Sequence, residues 1–309
     1  MWLVFTLITF FCWGGADLFY KIGADEGEKC SHLKTSAAVG LVMGAAALVT
    51  WATRVPEYNP LNLVRYLPVS AMYILSMTVG YFGLRYLEVS VSSPVQNASG
   101  AVSALLMILL LHQLPDTLTL IAIVPITLGV VALGIAERRK AAASLEGGEK
   151  RFSFGLTAFL FPVAYCILDS IGTFLDALYL EDITATPLLG VTEETLEDTA
   201  NISYQLTFLL CALGILLYLG LIRKEKFFTR GTPPRFAAAG LETLGQLAYV
   251  YAISGNGVAA APVVASYCVA SLVLGRIFLK EKLTPFQYAA VGLVFAGILL
   301  MGIAEGLAG

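Results

Sequence analysis

Charged residues are scarce in this sequence. Only 13% of its 309 residues are Asp, Glu, Lys or Arg, about half the share found in soluble proteins. A chain with so little polar surface cannot stay in water as an ordinary globular domain, and its mean hydropathy of +0.79 is typical of a protein surrounded by lipid. The composition therefore excludes an ordinary soluble enzyme and a disordered scaffold. A net charge of −3 with scattered bases gives no sign of a nucleic-acid partner.

Metal-binding and catalytic motifs are also missing. The five cysteines form no CxxC pair and there are only two histidines, so neither a zinc site nor a disulfide framework is predicted. The chain has no HExxH motif, no Gly-x-Ser-x-Gly motif and no nucleotide-binding loop. We expect no cofactor and no enzymatic activity, and any transport must be driven by a gradient or by exchange.

Long apolar runs fill the chain. A membrane-spanning helix needs about 20 apolar residues, and ten segments meet this requirement, so we expect an all-α, multi-pass membrane protein. The ten predicted spans are 2–21, 35–53, 65–87, 91–111, 117–136, 153–179, 201–222, 234–253, 257–279 and 285–305.

The two halves of the chain resemble each other. An offset of 168 residues aligns 129–137 with 297–305 at five identities in nine, and it places Pro94 on Pro262. The first spans align at an offset of 152, which sets Asp17 against Asp169. Five spans per copy force the second copy to cross the membrane upside down, as in the inverted repeats of secondary transporters. We predict repeats over 1–137 and 152–309, joined by a basic linker at 138–151.

The basic residues predict the orientation. All but Arg54 and Arg65 of the 19 lysines and arginines follow odd-numbered spans, and an excess of such residues marks the cytoplasmic side. Both termini and the acidic connection at 180–200 are therefore predicted to lie outside. We predict that the protein resides in the cytoplasmic membrane, where it contacts membrane lipid. We expect it to be a monomer or a homodimer.

Several short motifs resemble a known family. Trp13-Gly14-Gly15 in the first span, the Ala/Ser-rich helices entered through Pro94 and Pro262, and the joint 279–284 are similar to the drug/metabolite transporter superfamily, in particular its EamA-type members. The resemblance implies ten helices in two copies and a transport function. Family members more often have cytoplasmic termini, opposite to the orientation that the basic residues predict.

Two acidic residues interrupt apolar helices near mid-span. Ionisable side chains are costly inside a bilayer and are functional candidates there. Asp169 has Thr173 and Asp176 four and seven residues on, and Glu242 has Gln246 and Tyr249 at the same spacing. Residues so spaced share a helix face. The alternative is that each acid is neutral and hydrogen-bonds to a neighbouring helix.

Four further residues are weaker candidates. Asp17 is the repeat counterpart of Asp169, although Lys21 lies four residues away and a salt bridge is an equally good interpretation. Trp13 belongs to the motif described above. Asn97 and Tyr267 follow prolines that free backbone groups, so we expect both to line a cavity.

These features favour a secondary transporter for a small polar or cationic metabolite or drug. Asp169 and Glu242 would pair with the charge of the substrate or carry an exchangeable proton. The alternatives are an intramembrane enzyme and a membrane-anchored interaction protein. The first lacks a catalytic motif, and the second lacks an extramembrane domain.

Overall fold

The computed structural model describes residues 1–23, 30–83, 96–145, 160–280 and 282–308, and these residues form helices with no β-strand among them. A short π-helical turn, Tyr218–Arg223, follows the helix that ends at Leu217. The helices are α1 Trp2–Gly23, α2 Ser31–Thr53, α3 Leu61–Arg65, α4 Leu67–Gly83, α5 Ser99–Leu110, α6 Thr117–Leu145, α7 Leu160–Glu181, α8 Leu196–Leu217, α9 Thr232–Ala265, α10 Tyr267–Phe278 and α11 Pro285–Ala308.

Within the described ranges, seven helical segments are long and apolar enough to cross a membrane, and two shorter apolar helices, Leu67–Val79 and Ser99–Leu110, accompany them. Large apolar side chains such as Leu109, Leu299 and Ile303 are exposed on the outside of the bundle. A lipid environment explains this exposure, because a water-soluble protein would bury such side chains.

The segment Thr232–Phe278 is 47 residues long, which at 1.5 Å per residue is about twice the thickness of a bilayer core. The chain reverses within it at Asn256, whose backbone is not helical. The ring of Trp13 contacts both Tyr249 and Tyr267, which requires the segment to fold back on itself. The predicted boundary between spans 234–253 and 257–279 therefore falls at the observed reversal.

Two predicted boundaries need correction. The span predicted at 257–279 is interrupted at Ser266, between α9 and α10. Helix α6 continues to Leu145, so the basic linker predicted from residue 138 begins inside a helix. Apolarity ends near residue 136, but the Ala-rich sequence that follows favours continued helix. The rest of the linker, Pro94, and the beginnings of the spans predicted at 91–111 and 153–179 lie outside the described residues.

Helices α6 and α11, which begin 168 residues apart, both start with a side-chain cap. The carboxylate of Asp116 accepts hydrogen bonds from the backbone N–H groups of Leu118 and Thr119 at 2.9 and 3.0 Å. Bonds from the Thr119 side chain and backbone lower the pKa of Asp116. At an offset of 168, Thr284 and Gln287 form a reciprocal capping box at the start of α11.

Helices α6 and α11 pack antiparallel through two glycines. A Cβ atom added to Gly129 would lie 2.9 Å from the carbonyl oxygen of Ala290, and one added to Gly297 would lie 2.9 Å from that of Ala122. The four positions form two pairs at an offset of 168, so each helix makes the same contact on the other. Only glycine permits this backbone approach.

Other helices also pair between the two halves of the chain. Helix α1 packs on α9 and α10, α4 packs on α7, α2 on α8, and α5 on both α7 and α9. These contacts leave an interior bounded by α1, α4, α7, α8 and α9.

Candidate functional site

Three hydroxyl groups meet at the centre of the bundle. Tyr73 and Tyr249 each lie within hydrogen-bonding distance of the Thr173 hydroxyl, at 3.1 and 3.0 Å, and their own phenol oxygens are 2.7 Å apart. We call these three residues the hydroxyl triangle. It joins α4, α7 and α9, because each helix contributes one member.

Asp176 lies one turn beyond the triangle on α7. Its side chain is 1% exposed, and one carboxyl oxygen accepts a hydrogen bond from the phenol of Tyr66. The other oxygen is buried without a hydrogen-bond partner among the described residues. A buried carboxylate with an unpartnered oxygen is costly, so this acid needs a proton or a cation.

Asp169 lies one turn before the triangle on the same helix. It is half-buried, and the Ser99 hydroxyl is placed to hydrogen-bond its carboxyl group. The predicted stripe of Asp169, Thr173 and Asp176 therefore does face the interior, between α4, α5 and α9.

Asp17 and Glu242 form a second acidic group, between α1 and α9. Both are half-buried and act electrostatically on each other, while the Ser271 side chain of α10 hydrogen-bonds Asp17. Lys21 is exposed and interacts with Asp17 over a longer distance, since the close ion pairs among the described residues are formed elsewhere. The structure thus favours a site shared by Asp17 and Glu242 over the alternative of an Asp17–Lys21 salt bridge.

Aromatic rings separate the two acidic groups. The ring centroid of Trp13 is 5.2 Å from that of Tyr249 and 5.8 Å from that of Tyr267, and the indole N–H donates to the backbone carbonyl of Glu242 at 3.3 Å. Tryptophan and tyrosine faces attract cations. The predicted candidates Trp13 and Tyr267 therefore lie beside the predicted acid Glu242.

Tyr204 of α8 connects the two groups. Its phenol interacts electrostatically with Glu242, Asp176 and Asp169, so acids of α7 and α9 act on one interior point. No described lysine or arginine is among the groups acting on these three acids. The centre of the bundle is therefore acidic, aromatic and without a basic counter-charge among the described residues.

Two predicted residues occupy different positions from the acids. Gln246 is buried on α9, and its amide nitrogen has no hydrogen-bond partner among the described residues. Asn97 lines a small cavity with Thr127 and Pro262, between α5, α6 and α9. The structure therefore places Asn97 at a small cavity together with Pro262, and not in the acidic centre.

The sequence analysis missed Tyr66 and Tyr73. They lie seven residues apart at the start and in the middle of an apolar helix, so their spacing places them on one face. Tyrosine phenols buried in lipid need partners, and this spacing was the available sign that they face the acids.

An ion pair lies at each end of the bundle. At one end, which we call the acidic-loop end, Arg54 forms an ion pair with Asp198 at 3.4 Å, and Asp198 raises the pKa of Arg54. At the opposite end, the buried Lys34 lies 3.8 Å from Glu225. The two ion pairs thus tie both ends of α2 to α8 and to the residues that follow its π-helical turn.

The family of the chain follows from comparison with known proteins. The model of the EamA-like transporter family matches residues 1–135 and 194–303, which is most of the sequence. The chain belongs to the EamA-like transporter family. It is therefore a membrane transporter of the drug/metabolite type, built of apolar helices, as its sequence motifs predicted.

Comparison with solved structures concerns the fold. One crystal structure, described only as that of a protein, superposes on this chain with a TM-score of 0.68, covering 99% of this chain and 98% of the other at 13% identity. Such a likeness shows the shared fold alone. A search of curated proteins finds no match.

Proposed function

We propose that this EamA-like protein is a secondary transporter that moves a small organic cation, in exchange for protons or for a second cation. The observation that carries the proposal is the acidic centre, where Asp169, Asp176 and Glu242 share Tyr204 and no described base acts on them. Such a centre needs a positive charge from outside the protein, because buried carboxylates without a counter-charge are costly.

The aromatic rings favour an organic cation over a metal ion. Trp13 contacts Tyr249 and Tyr267, and its indole N–H donates to the backbone carbonyl of Glu242. Aromatic faces bind quaternary ammonium groups by cation–π attraction. No group of three or more metal-ligating side chains occurs among the described residues. A polar metabolite bearing an ammonium group fits this arrangement best.

The ten-span inverted repeat belongs to the same proposal. It is supported by the antiparallel contact in which Gly129 meets Ala290 and Gly297 meets Ala122, since only a two-fold axis in the membrane plane exchanges antiparallel helices. The reversal at Asn256 supports counting Thr232–Phe278 as two passes. Inverted copies allow one half to rock against the other, which gives alternating access.

Orientation and location remain predictions. We propose residence in the cytoplasmic membrane with the acidic-loop end outside. In intact cells, a cysteine replacing Thr192 should react with an impermeant maleimide, whereas one replacing Ser144 should not. The opposite labelling pattern would place both termini in the cytoplasm.

Flux into vesicles tests the function itself. Purified protein in sealed liposomes should take up radiolabelled benzyltrimethylammonium when the lumen is more acidic than the bath, because outward proton movement drives the cation inward. The neutral isostere neopentylbenzene, lacking the charge, should not compete for uptake. Uptake of a full panel of ammonium compounds at the rate of protein-free liposomes would exclude this substrate class.

A further inference from the structure

A stripe of polar side chains runs along α8, from the acidic-loop end into the membrane. Asp198, Asn201 and Gln205 follow one another at spacings of three and four residues, so they share a helix face. All three side chains are buried, and Asn201 and Gln205 are fully so. We call these three residues the α8 stripe.

The α8 stripe faces α9 and the end of α2. The Tyr251 phenol donates to Asp198 at 2.8 Å, and the Asn201 amide donates to the carbonyl of Leu247 at 3.3 Å. Arg54, which follows α2, donates to the other Asp198 oxygen at 3.4 Å. Three elements therefore meet on Asp198.

Deeper in the membrane the stripe loses its partners. The side-chain oxygen of Asn201 and both amide atoms of Gln205 are buried without a hydrogen bond among the described residues. An unpartnered buried polar group is unfavourable, because it has lost its hydration and gained no hydrogen bond in return. Further along α8, α2 packs closely through Gly40 against Phe208 and through Gly44 against Leu209, so the surroundings next to this end of the stripe are apolar.

The unpartnered amide atoms of Asn201 and Gln205 are explained by a second state of the protein in which water reaches them. If α8 moves away from α2 and α9, water reaches Asn201 and Gln205 and satisfies the same atoms that the closed form leaves unpaired. Tyr204, the neighbour of Gln205, interacts with Glu242, so an opening along this seam leads to the acidic centre.

We propose that the α8 stripe lines a water-filled path that opens from the acidic-loop end towards Glu242, and that the Arg54–Asp198–Tyr251 contact holds this path shut. The inference rests on the proposed transport function, because a protein that never opened would have no use for the path. Its test needs no substrate, so the two proposals fail separately.

Thiol reactivity measures the opening. In purified protein in lipid nanodiscs, with the five native cysteines replaced by serine or alanine, Gln205→Cys is labelled with the positively charged reagent MTSET. Adding Arg54→Ala should raise the labelling rate about tenfold, because it leaves a buried carboxylate without its cation and favours the open state by about 1.4 kcal/mol. The Leu210 side chain is 55% exposed, on the lipid side of α8, so Leu210→Cys should stay unreactive in both backgrounds.

A milder variant keeps the test valid if Arg54→Ala disturbs folding. Tyr251→Phe removes one hydrogen bond to Asp198 and leaves the ion pair intact, so it should raise labelling of Gln205→Cys by about three- to fivefold. Unchanged labelling in both monodisperse variants would overturn the proposal. Equal increases at Leu210→Cys would also overturn it, because they would indicate general loosening of α8.

Discussion

The α6–α11 interface consists of glycines and apolar side chains, whereas the acidic centre consists of polar and ionisable side chains. At the interface, Gly129 and Gly297 bring two backbones into contact, and apolar side chains fill the remaining space. At the centre, Asp176 is buried with a carboxyl oxygen that has no hydrogen-bond partner among the described residues. The first arrangement stabilises one conformation through close packing. The second is costly, because buried polar atoms there lack hydrogen-bond partners.

The repeat symmetry is also closer in one of these two regions than in the other. Symmetry is closest where packing decides the contact, since Gly129 and Gly297 meet equivalent alanines. It is weaker at the centre, where α7 contributes Asp169 and α1 contributes Asp17, but only α7 carries the hydroxyl of Thr173 in the triangle. The packing contacts therefore follow the duplication more closely than the polar residues of the centre do.

The largest expected effect is on the packed interface. Gly129→Ala and Gly297→Ala should each lower the free energy of unfolding by about 1–3 kcal/mol, because the added Cβ would lie 2.9 Å from a carbonyl oxygen of the facing helix. Thermal unfolding in detergent measures the loss. Gly292→Ala is the matched control on α11, since nothing lies within 4 Å of its added Cβ. Equal stability of all three variants would show that the glycine contact is not tight.

The hydroxyl triangle should contribute less. Tyr73→Phe and Tyr249→Phe should each cost about 1 kcal/mol, the usual net value of a hydrogen bond. Because the two phenols bond to each other and to Thr173, the double variant should cost less than the sum. Chemical denaturation of the four proteins gives the coupling energy. Strict additivity would mean that the three hydroxyls do not act together.

The smallest effect is expected at Asp176. Asp176→Asn keeps an oxygen that accepts the Tyr66 hydrogen bond and removes the possibility of a buried negative charge. We expect the unfolding free energy to change by less than about 1 kcal/mol, because the carboxyl oxygen without a described partner is replaced by an amide nitrogen at the same place. A loss of several kcal/mol would instead reveal an ionised carboxylate with a structural partner, and would set Asp176 apart from the transport machinery.

Much of the fold could be predicted from the sequence, because apolar length and repetition decide it. The offset of 168 that aligns Gly129 with Gly297 also relates their contacts in three dimensions. The end of α6 was placed too early, since apolarity marks the membrane boundary and not the end of a helix. The interruption at Ser266 was missed because the residues around it are apolar on both sides.

The candidate site could be predicted only in part. Asp169, Asp176 and Glu242 stood out because charge is costly in lipid. Tyr66 and Tyr73 did not, since tyrosine is common at membrane interfaces and its burial depends on helix rotation. The positions of Asn97 and Gln205 likewise depend on which neighbouring helix each one faces, and hydropathy does not fix that.

Transport by charge-deleted variants tests the central claim most directly. Asp169→Asn and Glu242→Gln keep side-chain volume and hydrogen bonding, so both proteins should remain monodisperse and unfold like the wild type. Uphill uptake of benzyltrimethylammonium into acid-loaded liposomes should fall to the level of protein-free vesicles in both. Retained counterflow would assign the residue to the proton, and lost counterflow would assign it to the cation. Wild-type uphill uptake by both variants would contradict the account and remove these acids from the mechanism.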